Sequence, residues 1–182
     1  MRLWDAVTGK EKATLKGHTG KVTSVALRRD GGLVVSGSED HTVRLWDGAR
    51  GREIVALQGH TAGVTSVAIS RDGTVVASGS EDDTVRVWDV AAAKEKATFK
   101  GHRAEVLCVA ISGDGKLLAS GSGDKTIKLW DPIAAKEKAT LEGHTDKVTS
   151  LAFNRDGKLL VSGSKDMTAR LWDIPVGSPK SQ

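Results

Sequence analysis

A period of 42 residues runs through this chain without insertion or deletion. Trp-Asp recurs at Trp4-Asp5, Trp46-Asp47, Trp88-Asp89, Trp130-Asp131 and Trp172-Asp173, and Gly-His at Gly17-His18, Gly59-His60, Gly101-His102 and Gly143-His144. An Asp-Gly step at Asp30, Asp72, Asp114 and Asp156 keeps the same phase. A unit this short cannot bury an apolar face alone, so copies in strict register must stack on one another. The period divides the chain at about 6–47, 48–89, 90–131 and 132–173, after a partial strand at 1–5 and before a polar tail at 174–182.

Inside each repeat the apolar spacing is that of strands. In the second, Val64 to Ser70 is rich in β-branched residues, Arg71-Asp72-Gly73 is a turn, and Thr74 to Ser80 is the next strand. Glu81-Asp82-Asp83 turns the chain into a third strand, Thr84 to Trp88. Glu53 to Leu57 and its equivalents form a fourth, more polar strand. Lys94 to Thr98 has helix-favouring residues, but it is too short for a helix and shares the register of Arg52 to Ala56. It is expected to be an outer strand, with tertiary context overriding propensity. The expected fold is all-β, with no helix longer than one turn.

Composition removes several function classes. The 27 Lys and Arg against 23 Asp and Glu give a net charge of +4, and the signs alternate locally, as in Lys94-Glu95-Lys96. That is a solvated mixed surface, with no nucleic-acid face expected. Cys108 is the only cysteine, so no internal disulfide can form, which suits a reducing compartment. No apolar run reaches the roughly 20 residues of a membrane helix, and the N-terminus lacks a signal-peptide pattern. A cytoplasmic protein with no membrane contact is the expectation.

The segments Gly59-His60 and Ser78-Gly79-Ser80-Glu81-Asp82-Asp83-Thr84-Val85-Arg86-Val87-Trp88-Asp89 resemble the WD40 repeat family, and the likeness continues to Asp173. The resemblance implies β-propeller blades, each of four antiparallel strands labelled a to d from a central channel outward. It also implies a buried chain of Trp, Ser, His and Asp in each blade. The corresponding sets are His18, Ser36, Asp40 and Trp46; His60, Ser78, Asp82 and Trp88; His102, Ser120, Asp124 and Trp130; His144, Ser162, Asp166 and Trp172. Indole can only donate, a hydroxyl does both, and a carboxylate only accepts, so the order satisfies every member. Ser, His and Asp together also suggest a hydrolase. A catalytic triad occurs once, beside an oxyanion site, whereas this set occurs four times beside a Trp. Ser-Gly-Ser tracts such as Ser36-Gly37-Ser38 lack the lysine and helix of a phosphate loop and read as strand. His41 lies outside the sets, in a turn, and is expected to be exposed rather than a metal ligand. No catalytic residue, metal or cofactor is implied.

Two functions remain. By resemblance, a protein or peptide is held on the face where strand a begins, at positions three and five after each His and one before each Asp. These are Lys21, Thr23, Glu39, Gly63, Thr65, Glu81, Glu105, Leu107, Gly123, Lys147, Thr149 and Lys165, which also read as ordinary solvated loop residues. The alternative is a structural half-propeller, recently amplified, excised or engineered, with no ligand; repeats three and four share more than half their positions. Strand bookkeeping adds a partner, a second copy. The chain opens with a fragment of strand c, Arg2 to Asp5, and a strand d, Glu11 to Leu15, while the tail after Asp173, with Pro175, Gly177 and Pro179, is no strand d. A homodimer closing an eight-bladed ring would pair Glu11 to Leu15 of one chain with Thr168 to Trp172 of the other. Arg2 to Asp5 would then be displaced, and Trp4 is expected to fray or to pack opportunistically outside.

Overall fold

In the computed structural model, residues 1–174 are described; the expectation for Pro175, Gly177 and Pro179 lies outside the described residues. The described residues form strands and turns with no helix. Strands β1 (Arg2–Trp4) and β2 (Glu11–Thr14) make a hairpin. The first complete blade follows as β3 (Val22–Leu27), β4 (Leu33–Ser38), β5 (Val43–Asp47) and β6 (Arg52–Leu57), hydrogen-bonded antiparallel in that order. The second blade is β7 (Val64–Ile69), β8 (Val75–Ser80), β9 (Thr84–Asp89) and β10 (Lys94–Lys100). The third is β11 (Val106–Ile111), β12 (Leu118–Ser122), β13 (Ile127–Asp131) and β14 (Lys136–Leu141). The fourth has three strands among the described residues: β15 (Val148–Phe153), β16 (Leu159–Ser164) and β17 (Ala169–Asp173).

The polar segments expected to be outer strands are β6, β10 and β14. Lys94 to Lys100 pairs along β9, and Phe99 and Leu57, at equivalent positions, are buried. One inward apolar residue and a full ladder of backbone bonds outweigh the poor strand propensity of Ala, Lys and Glu. The Asp-Gly steps close the a-to-b hairpins, with φ of 74°, 75°, 70° and 72° at Gly31, Gly73, Gly115 and Gly157. A side chain would be strained there.

The core lies between blades. Leu33, Val35, Val43 and Leu45 of the first blade pack on Val64, Val67, Val76 and Trp88 of the second, and the second meets the third in the same way. Gly37, Gly79 and Gly121 make this approach possible. A Cβ on any of them would come within 2.6 Å of a methyl of Val64, Val106 or Val148. Among the described residues, the outermost faces lack such a neighbour. Val25 is 57% exposed where its counterpart Val67 is 6%, and Leu171 of the fourth blade is 67% exposed.

In the single chain the segment Arg2 to Asp5 is paired: Arg2 lies opposite Thr14 and Leu3 opposite Ala13. Leu3, Ala13 and the buried Leu15 pack on Val34 and Trp46 of the first blade. The unpaired edge of β2 takes the nearest strand with the right sequence, and within one chain that strand is β1. The Trp4 indole itself is 55% exposed.

Candidate functional site

Each blade carries one copy of the same hydrogen-bond chain, built at the junction of four elements. The loop before strand a supplies His, strand b supplies Ser, the b–c turn supplies Asp and strand c supplies Trp. In the second blade, Trp88 Nε1 donates to Ser78 Oγ at 2.9 Å, Ser78 Oγ lies 2.7 Å from His60 Nε2, and His60 Nδ1 lies 2.8 Å from Asp82 Oδ2. The first blade repeats this through Trp46, Ser36, His18 and Asp40 at 2.8, 2.7 and 2.7 Å. The third runs through Trp130, Ser120, His102 and Asp124 at 2.8, 2.7 and 2.8 Å, and the fourth through Trp172, Ser162, His144 and Asp166 at 2.8, 2.7 and 2.7 Å. Indole must donate and carboxylate must accept, so Ser donates to Nε2 and Nδ1–H donates to Asp.

A fifth member escaped the sequence reading. Thr42, Thr84, Thr126 and Thr168 each donate to the first carboxylate oxygen of their Asp at 2.6–2.7 Å. The backbone N–H after each His donates to the other oxygen. Their 42-residue spacing was the available signal, but a Thr beside a turn looks like turn chemistry. These donors set the electrostatics. For Asp82, burial is the largest single influence and opposes ionisation, yet Thr84, Thr61 N–H and His60 outweigh it and hold the carboxyl at about 2. Asp124 reaches about 2 by the same balance. Burial pulls the His60 and His102 imidazoles below 6.5, so both rings stay neutral at pH 7.

The four serines are sealed, with Ser36, Ser78 and Ser120 fully buried and Ser162 nearly so. Each hydroxyl is engaged by an indole on one side and an imidazole on the other. Cys108 is buried too, and desolvation pushes its thiol up to about 12. His41 is exposed in the b–c turn, outside every network. Among the described residues, no cluster of three or more His, Cys, Asp or Glu could hold a metal, and no helix is long and apolar enough to cross a membrane.

The family model described as WD domain, G-beta repeat matches residues 9–47, 51–89, 93–131 and 135–173. The chain belongs to the WD40 repeat family. No curated protein matches it. WD40 domains generally mediate protein–protein interactions and are typically non-enzymatic scaffolds.

On the WD40 face where strand a begins, the positions three after His and one before Asp meet in pairs. The Glu39, Glu81, Gly123 and Lys165 amides donate to the carbonyls of Lys21, Gly63, Glu105 and Lys147, each at 2.9 Å. Lys21 Nζ sits 3.3 Å from Glu39, and Lys147 Nζ crosses to Glu105 of the neighbouring blade at 2.6 Å. The remaining positions, Thr23, Thr65, Leu107 and Thr149, are bulge residues of strand a. The bulge turns two side chains toward the next blade. Thr23 Oγ1 faces the Val64 carbonyl, and the Val67 N–H donates to Ser24 Oγ at 3.1 Å. Thr65 faces the Val106 carbonyl at 2.5 Å, and the Val109 N–H donates to Ser66 at 3.1 Å. Leu107 cannot do this, and Cys108 Sγ stands 3.7 Å from the Val148 carbonyl instead. Thr23 and Thr65 thus serve the blade-to-blade contact, and their hydroxyls are not free on the face.

Proposed function

We propose that this chain is a non-enzymatic WD40 scaffold. It presents a protein- or peptide-binding face and joins a second copy of itself, fourth blade against first, in a homodimer that closes an eight-bladed ring. The carrying observation is a blade-to-blade contact left half made at each end of the fan. At the fourth blade, among the described residues, Thr149 Oγ1 reaches only the Gly163 carbonyl of its own blade, at 3.3 Å. Among the same residues Gly163 has only Ser150 Oγ near its would-be Cβ, at 3.1 Å, where the other three notches are filled by valine. At the first blade, Val22 and Val25 are the exposed counterparts of the valines that fill those notches. Docked head to tail, Val22 enters the Gly163 notch, Thr149 donates to the Val22 carbonyl, and the Val25 N–H donates to Ser150. The β2 strand of one copy then lies beside β17 of the other, in the place β1 now holds; Arg2-Leu3-Trp4 and Arg170-Leu171-Trp172 are the same tripeptide.

The test is mass by light scattering after size exclusion. The parent chain is expected at twice its chain mass. Gly163→Val, whose Cβ meets only the Ser150 hydroxyl among the described residues of the single chain, a rotatable group that can give way, is expected to be folded and monomeric. Deleting Met1 to Asp5 is expected to keep the dimer, because β1 competes with β17 for one edge. A Gly163→Val dimer, or a parent chain that stays monomeric at micromolar concentration, overturns the assembly.

The structural reading, self-assembly without a ligand, draws on the ion pairs Lys21–Glu39 and Glu105–Lys147, which neutralise part of the face internally. A peptide array probed with the parent chain and with Glu81→Ala and Lys165→Ala separates the two. Peptide binding lost in these variants supports the scaffold, and no such peptide supports the structural reading.

A further inference from the structure

At the opposite end of the strands a, where each leaves the channel, Arg29, Arg71, Gly113 and Arg155 occupy one position of the 42-residue register. Arg29, Arg71 and Arg155 line a single cavity of about 450 Å³, together with Ile111, Gly113, Phe153 and Asn154. All four blades contribute to it. No acidic residue lines it, and among the described residues none of the three guanidiniums has a carboxylate within salt-bridge distance. Neighbouring carboxylates are engaged elsewhere. Asp30 pairs with Arg28 at 2.7 Å, Asp72 accepts from Ser70 and Thr74, and Asp156 accepts from the Lys158 N–H. Residues 175–182 contain no Asp or Glu. Elsewhere on the chain, basic side chains are commonly paired, as at Arg44–Glu53 and Lys128–Glu137.

We propose that this cavity binds a small oligoanion carrying clustered phosphate groups. Three like charges converging on one space favour a ligand that supplies several negative charges within a few ångströms. Guanidinium presents forked N–H donors that match phosphate oxygens two at a time, which suits this chemistry better than ammonium would. Gly113 is the informative departure from the register. A fourth arginine there would crowd the Arg155 carbonyl, 3.0 Å from a would-be Cβ, and glycine leaves the space open. Ile111 and Phe153 add apolar lining, and a volume of this order suits a small molecule. The site lies at the other end of the strands from the proposed peptide face and stands independently of it.

Calorimetric titration with inorganic tripolyphosphate tests the assignment. The parent chain is expected to bind, with affinity falling as salt rises. Arg71→Gln and Arg155→Gln are each expected to weaken binding on the order of tenfold, the loss of a charge-assisted hydrogen bond. The control Lys136→Gln, on an exposed outer strand, is expected to leave it unchanged. Circular dichroism of each variant separates lost binding from lost folding. Equal loss in Lys136→Gln, unaltered binding in the double variant Arg71→Gln/Arg155→Gln, or tighter binding of a glutamate-rich peptide than of tripolyphosphate would each overturn it.

Discussion

Removing one imidazole from a buried chain takes a hydrogen bond from two neighbours. His60→Ala leaves the Ser78 O–H without an acceptor, while Ser78 still accepts from Trp88, and it takes one donor from Asp82 Oδ2, which keeps the Thr61 N–H; a buried donor left unpaired costs about 1–3 kcal/mol. His102→Ala is expected to cost a similar amount, whereas His41→Ala, in an exposed turn, is expected to cost less than about 0.5 kcal/mol. Urea denaturation of the three variants checks the ranking. The same groups set the acid response. The folded state keeps His60 and His102 neutral below the pH at which the unfolded chain takes up their protons. Stability is therefore full above about pH 6.5 and falls as pH drops below it, because the unfolded state binds more protons. A second loss follows between about pH 4 and pH 2, as the unfolded chain protonates Asp82 and Asp124 before the fold does. Thermal melts from pH 8 to pH 3 are expected to show a decline starting near 6.5. A melting temperature flat from pH 7 to pH 5 would falsify the neutral buried imidazoles.

Turns show where the repeat is less than ideal for its own backbone. The c–d turn needs a left-handed residue, and Gly9 and Gly51 supply it with φ of 66° and 64°. Ala93 and Ala135 stand at the equivalent positions with φ of 52°. A left-handed L-residue costs about 1–2 kcal/mol, part of which glycine returns as extra freedom in the unfolded chain. Ala135→Gly is expected to stabilise the chain by roughly 0.5–1 kcal/mol, read as a higher urea midpoint with unchanged slope. The strands themselves were legible, because alternation and Asp-Gly steps are local and repeated four times. The Trp, Ser, His and Asp sets were legible through the resemblance to WD40 repeats, which the 42-residue register carries to all four copies. The bulge at Thr23 and Thr65 was not: a threonine that staples blades and one that faces a ligand look alike until the neighbouring strand is placed. The arginine cluster was hidden for a related reason. Arg29, Arg71 and Arg155 lie far apart in sequence, each next to an Asp that makes the local charge look balanced.

At the scale of the whole molecule, the apolar clusters bridge neighbouring blades, so no blade holds itself together. A fan built this way behaves as a row of coupled units in which each unit's persistence depends on its neighbours. The ends should open first. Native-state hydrogen exchange in the single-chain form, obtained as Gly163→Val, is expected to be slowest at β8 and β12, which have a blade on either side. It should be progressively faster toward β15, β16 and β17, which have no blade on the far side among the described residues. In the proposed closed dimer the fourth blade would gain a neighbour, and the gradient is expected to flatten. Burying the core between units rather than within them thus makes the ends of the row its point of entry for unfolding, proteolysis and mispairing. Closing the row into a circle removes that point of entry without changing any residue of the interior.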